Sequence, residues 1–174
     1  MVAAVVLAAG ASTRFGTPKQ ALLLEPVLER LKQAGGIDDI VVVSGAHPID
    51  TDVRVVHCPE WQQGPGASLR CGLRAVRDAD AAVVVLADGP RLAPAAVERV
   101  VEAWRGGRGD VVAASYGGER GHPVILGREV WEAVPDEGAR ALEPVLVPCD
   151  DLGAPGDVDV PADLGRSRDA RDER

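Results

Sequence analysis

Lysine, aromatic residues and cysteine are all scarce in this chain. Of 19 basic residues among 174, two are lysines, Lys19 and Lys32, and the rest are arginines. Aromatics amount to 3%, so the core must be assembled from Val, Leu, Ile and Ala. The three cysteines, Cys58, Cys71 and Cys149, form no CxxC pair and cannot all be bridged within one chain. That pattern reads as three reduced thiols used for packing or lying at the surface, rather than as a metal site. Positive charge is also lacking: the net charge is −8 and the isoelectric point about 4.9. Nonspecific nucleic-acid binding, which depends on neutralising phosphates with a basic surface, is thereby excluded. No apolar run is long enough to cross a bilayer, and Val2–Ala9 lacks the basic flank of a secretory leader. A cytoplasmic protein with no membrane partner is expected.

What is present is ordinary for one compact domain with a hydrophobic core: 46% hydrophobic and 26% charged residues. Apolar runs of strand length alternate with segments of helical period. Val2–Ala8, Ile40–Val43, Val53–Val56, Ala81–Leu86, Asp110–Tyr116 and Pro123–Leu126 read as strands, the last two flanking the turn Gly117-Gly118. Pro26–Ala34, Ser68–Val76, Ala95–Trp104, Glu129–Val134 and Gly138–Val145 read as helices. Strands alternating with helices predict a mostly parallel sheet covered on both faces, with ligands bound outside the carboxyl ends of the strands. The domain is expected over residues 1–165, and the nearly all-charged stretch 166–174 reads as a solvated, disordered tail.

Two segments leave apolar strands at that ligand edge with unusual chemistry. In Ala8–Lys19 a glycine, Gly10, follows the strand, and small neighbours allow close approach to backbone N–H groups. Arg14 and Lys19 add a forked and a point-like cation. These parts suit a triphosphate; a plain glycine turn with solvated charges is the simpler alternative. The spacing matches neither a Walker loop nor G-x-G-x-x-G, and Ile40–Val43 is not followed by a ribose-binding acid. Asp88 ends the other strand, before Gly89-Pro90, where it could hold a hard cation or simply start a turn. Asp157 and Asp159 alternate in GDVDVPADL, so both point the same way if the segment is extended. Ser68 and Arg70 are placed in the first turn of a helix, where a bound anion would offset the unfavourable dipole at Arg70; an exposed arginine with Ser68 as cap fits equally well. His122, in RGHPVIL, could be structural or face a substrate.

The stretch LAAGASTRFGTPKQALL resembles the first signature of MobA-like nucleotidyltransferases, and WQQGPGASLRCGL, LADGP, GHPVILG and DVDVPADL resemble four further motifs in the same order. The branch most similar is that of the molybdenum cofactor cytidylyltransferases. The resemblance implies a single Rossmann-like three-layer α/β domain of the nucleotide-diphospho-sugar transferase type, an NTP substrate, Mg²⁺ and pyrophosphate release. It places the nucleotide against the Leu7, Ala8, Ala9 and Gly10 backbone, Arg14 and Lys19, with Gly66, Ser68 and Arg70 by base and sugar. Arg14, Lys19 and Asp88 are the implied catalytic groups, Asp88 and Asp159 the Mg²⁺ ligands, and His122 a contact to a phosphorylated acceptor such as a pterin. LAAG favours CTP over GTP by the same resemblance, and a molybdoenzyme or its chaperone is the implied partner. The chain departs from the family where ALLLEPVLERL runs straight into Glu25-Pro26, at Pro65, at Gly89 and at Val160. ASYGGERGHPVILG also resembles relatives described as nicotine blue oxidoreductases, which implies a nicotinamide-dependent reductase as an alternative; a non-catalytic nucleotide or molybdopterin carrier is another.

Overall fold

The computed structural model describes residues 1–10 and 19–156, without the side chains of residues 19–21. Its centre is a strand that is apolar on both faces. β1 (Val2–Ala8) lies between two parallel neighbours, β2 (Asp39–Ser44) and β4 (Ala81–Leu86), and no residue from Val2 to Val6 is more than 1% exposed. Seven strands form one sheet in the order β3-β2-β1-β4-β6-β5-β7, with β3 at Arg54–His57, β5 at Val111–Tyr116, β6 at Glu119–Gly127 and β7 at Val145–Pro148. Only β6 runs against its neighbours, β4 and β5; all other pairings are parallel. A mostly parallel sheet needs cover on both faces. Helices α1 (Lys19–Gln33) and α3 (Pro94–Arg105) pack on the face of Ala4 and Val6, through Leu24, Val27, Leu28, Leu31, Val97, Val100 and Val101. Helix α2 (Pro65–Ala75) covers the face of Ala3 and Val5 with Leu69, Cys71 and Leu73. Gly72 lets α2 press onto the sheet, because a Cβ there would overlap Val5 and lie 2.9 Å from Val43.

Several sequence expectations need correction. α1 begins at Lys19 and carries Pro26 inside it, where the pattern suggested a start at Pro26. Proline withdraws the donor to the Leu22 carbonyl, and Leu22 lies on the exposed side, where water can replace that bond. α2 begins at Pro65 with Gly64 (φ 120°) before it, so Ser68 closes the first turn rather than capping it, while Arg70 sits beyond the first turn and the dipole argument for it does not apply. A proline at the first helical position loses nothing by lacking an N–H, which is why the helix starts there. The expected helices at 129–134 and 138–145 are short 3₁₀ turns, Arg128–Ala133 and Ala139–Ala141, followed by β7. Cys58 and Cys71 are joined as a disulfide with Cα atoms 5.8 Å apart, and Cys149 alone is a free, buried thiol. The chain pairing of β3 with β2 brings Cys58 beside α2, a long-range consequence that cysteine spacing does not reveal. Arg14, Asp157, Asp159 and the tail at 166–174 lie outside the described residues.

Candidate nucleotide-transfer site

The carboxyl ends of β1 and β4 open side by side. The Ala87 N–H donates to the Leu7 carbonyl at 3.1 Å, and the Ala46 N–H donates to the Ala9 carbonyl at 3.2 Å, so the turns after three strands are tied together. Above them lies a cavity of about 380 Å³ lined by Leu7, Ala9, Gly10, Trp61, Gly64, Pro65, Ser68, Leu86, Ala87 and Asp88. It unites Leu7, Ala9, Gly10, Ser68 and Asp88 from three distant parts of the chain, as the ligand-edge rule for parallel sheets anticipates. Its walls are mainly apolar, with Gly10 exposed and Asp88 its one carboxylate among the described residues. Ala8 is buried at 4% exposure beneath this surface.

Gly66 and Arg70 do not line the cavity. The Gly66 N–H donates to the Asp136 carbonyl at 2.9 Å, and a Cβ on Gly66 would overlap the Pro135 carbonyl oxygen. Arg70 donates to the Val134 carbonyl at 2.9 Å and to Asp136 at 2.8 Å. Both residues hold α2 against the 134–136 loop, which fixes the helix start beside the cavity. Trp61 lies within a short 3₁₀ turn, and Gly45 faces its ring: a Cβ there would lie 2.6 Å from it.

A second cavity, of about 470 Å³, adjoins the first at Leu86. Gly89, Leu92, Tyr116, Glu119, Arg120, Gly121, His122 and Pro155 contribute to its lining. His122 reaches it because β6 bulges: Ala113 faces Val124 and Ser115 faces Arg120, so β6 carries extra residues between these pairs. The His122-Pro123 peptide is cis within that bulge. The Tyr116 hydroxyl donates to the His122 carbonyl at 2.8 Å, and Arg120 donates to the carbonyls of Ala139 at 2.7 Å and Leu142 at 2.6 Å. Burial pushes the His122 imidazole down to about 4, helped by the Arg120 charge and opposed by the Asp88 charge. The imidazole is therefore neutral near pH 7, and Asp88 is close enough to act on it electrostatically.

Asp88 thus stands at the turn between two cavities. One hard carboxylate, with the oxygens of a triphosphate and water, is a donor set that fits Mg²⁺ or Mn²⁺, which take few protein ligands in such sites. Among the described residues, the three-ligand cluster is Cys58, Glu60 and Cys71, well apart in chemistry from an oxygen site. Trp61, Tyr116, Glu119 and Arg120 escaped the residue-level reading. A tryptophan in the polar run WQQG, within an aromatic-poor chain, was the available signal for the first.

The family model for the MobA-like NTP transferase domain matches residues 4–147. The chain belongs to this family. It is a nucleotidyltransferase by that membership, with an NTP substrate and a small acceptor. It is 32% identical to Rv0371c of Mycobacterium tuberculosis H37Rv, over 96% of this chain and 98% of that one, with a TM-score of 0.73. A crystal structure of Rv0371c in complex with manganese shows 29% identity over 95% and 96% of the two chains, with a TM-score of 0.71. For the fold alone, molybdopterin-guanine dinucleotide biosynthesis protein A of Archaeoglobus fulgidus superposes with a TM-score of 0.70 at 16% identity, over all of both chains. No curated protein matches. The fold is thereby of the nucleotide-diphospho-sugar transferase type. Among the described residues, no helix is long and apolar enough to cross a membrane.

Proposed function

We propose that this nucleotidyltransferase moves a CMP group from CTP to a phosphorylated acceptor of the molybdopterin class, with Mg²⁺ or Mn²⁺ bound. The reading includes a cytoplasmic location and delivery of the product to a molybdoenzyme or its chaperone. The observation that carries it is the position of Asp88 between two adjoining cavities at one sheet edge. The nucleotide occupies the cavity of Gly10, Trp61 and Ser68, and the acceptor that of His122 and Tyr116. Family membership and the manganese complex of Rv0371c support the cation.

An acceptor phosphate oxygen attacks the α-phosphorus, the α–β anhydride bond breaks, and pyrophosphate leaves with the bonding pair. Asp88, together with Asp159 from the family motif, would hold the cation, whose charge would offset that of the phosphates. Arg14 and Lys19 draw the triphosphate into line, and the strand-end backbone at Leu7–Gly10 sets its depth. Gly66 and Arg70 keep the start of α2 in place for Ser68 and Trp61 to meet base and sugar. Neutral His122 offers the acceptor a hydrogen-bonding partner without adding charge.

Thermal-shift measurements with CTP, GTP, ATP, NADPH and NADH, each with and without Mg²⁺ or Mn²⁺, test this. The expected result is a cation-dependent shift with CTP above the other nucleotides. Stabilisation by NADPH or NADH alone overturns it in favour of a reductase. CTP binding without pyrophosphate release across phosphorylated pterin acceptors indicates a carrier.

A further inference from the structure

The Cys58–Cys71 bond lies directly behind the nucleotide-side cavity. Cys58 follows β3 and is fully buried, and Cys71 sits on α2, one turn beyond Ser68. The chain between them carries Trp61, Gly64, Pro65 and Ser68, all of which line that cavity. The bond therefore closes a loop whose inner side is the cavity wall. Its surroundings also suit free thiols. The Glu60 carboxylate lies 3.8 Å from each sulfur, and the Ala67 carbonyl lies 3.5 Å from Cys58 Sγ. Arg74 Nη2 is 3.2 Å from Cys71 Sγ. A disulfide has no proton to donate, so the Glu60 and Ala67 acceptors find a donor here only in a free thiol, and the Arg74 guanidinium, a weak donor to a disulfide sulfur, favours a Cys71 thiolate more strongly.

We propose that Cys58 and Cys71 form a reversible oxidation site that sets the affinity of the adjoining cavity for its nucleotide. The proposal rests on the assignment of that cavity to an NTP. A dithiol reductant opens the bond by attack on Cys71 Sγ, since Cys71 is the residue with some exposure left, 5% against 0% for Cys58. The S–S bond breaks, and Cys58 leaves with the electron pair and takes a proton. The second thiol of the reductant then displaces Cys71, which departs as a thiolate beside Arg74. The reductant ends as its own disulfide, and the protein holds two thiols. Oxidised, Trp61 and the start of α2 are fixed around the nucleotide. Reduced, this wall fluctuates and part of the binding energy goes into ordering it.

The test uses the full chain, oxidised and then reduced with dithiothreitol. Thiol labelling read by mass spectrometry counts one reactive cysteine, Cys149, in the unfolded oxidised protein and three after reduction. Calorimetry measures the Kd for CTP, GTP and ATP with Mg²⁺, and amide exchange follows residues 58–71 without nucleotide. Reduction is expected to weaken binding of the preferred nucleotide by about tenfold, within the usual span of coupling between sites. It is also expected to speed exchange over 58–68 while cooperative melting persists. Cys71→Ala should show the reduced-state affinity under both conditions. Equal Kd and equal exchange in the two states overturn the proposal and leave the nucleotide assignment standing. Binding of no nucleotide in either state overturns that assignment and this proposal together. Loss of cooperative melting on reduction, or three labels in the oxidised protein, also overturns it.

Discussion

The two cavities that meet at Leu86 are built in different ways. The nucleotide side is walled by strand ends, glycine and the start of α2, and its lining is mainly apolar. The acceptor side shares apolar walls at Val85, Leu86, Leu92 and Pro155 but adds Tyr116 from β5 and Glu119, Arg120 and His122 from the bulged β6, with Arg120 braced against a distant loop. A nucleotide side built around strand-end backbone suits a ligand part shared by a whole family, because phosphates and ribose vary little. An acceptor side made of side chains can change with a few substitutions without disturbing the sheet. The contrast explains why family membership speaks for the NTP and says much less about the acceptor.

The largest expected effect comes from removing Asp88, the carboxylate on the nucleotide side that acts electrostatically on His122 of the acceptor side. Asp88→Ala should lower kcat/KM by about a thousandfold, the scale of several kcal/mol for cation-held charge stabilisation, and abolish the cation-dependent thermal shift. Retention of that shift removes Asp88 from the cation site. Gly66→Ala attacks the nucleotide side through stability. Its Cβ would meet the Pro135 carbonyl oxygen and lie 2.7 Å from Asp136 Cα, both backbone, so a loss of about 3 kcal/mol is expected in denaturant titration. Arg120→Ala separates the sides. It should cost about 2 kcal/mol through lost charged hydrogen bonds to carbonyls, and raise KM for the acceptor while KM for CTP stays unchanged in steady-state assays. Equal changes in both KM values would erase the distinction between the cavities.

A further effect is a pH slope. His122 has a folded pKa lowered from 6.5 to about 4, so below pH 6.5 the unfolded chain binds more protons than the folded one. Stability at this residue is complete above pH 6.5 and falls as pH drops toward 4. His122→Asn should flatten that part of the melting profile, and an unchanged profile would place the histidine in solvent.

The sequence and the structure agree where local pattern and sheet topology coincide. β1 and β4 are continuous apolar runs, so their ends, and with them Leu7–Gly10 and Asp88, were readable from residue order alone. The mostly parallel sheet covered on both faces followed from strands alternating with helices, and its Rossmann-like type from the family resemblance. What escaped depends on partners far along the chain. Trp61 matters because Gly45 faces it, and Arg120 because it donates to carbonyls some twenty residues on. Gly66 and Arg70 stand inside a motif that resemblance links to the nucleotide, yet their visible partners are Val134, Pro135 and Asp136. The disulfide was hidden for the same reason: only the pairing of β3 with β2 places Cys58 beside α2. Helical propensity at 129–134 and 138–145 was overruled by tight turns that carry the chain to β7.

The central claim is that nucleotide and acceptor lie on opposite sides of Asp88. Amide hydrogen exchange with and without CTP and Mg²⁺ tests it most directly. The account predicts slowed exchange at residues 7–10, 61–68 and 86–88, and unchanged exchange at 116–122 until a phosphorylated acceptor is added. Protection by CTP at 116–122, with none at 61–68, would contradict it.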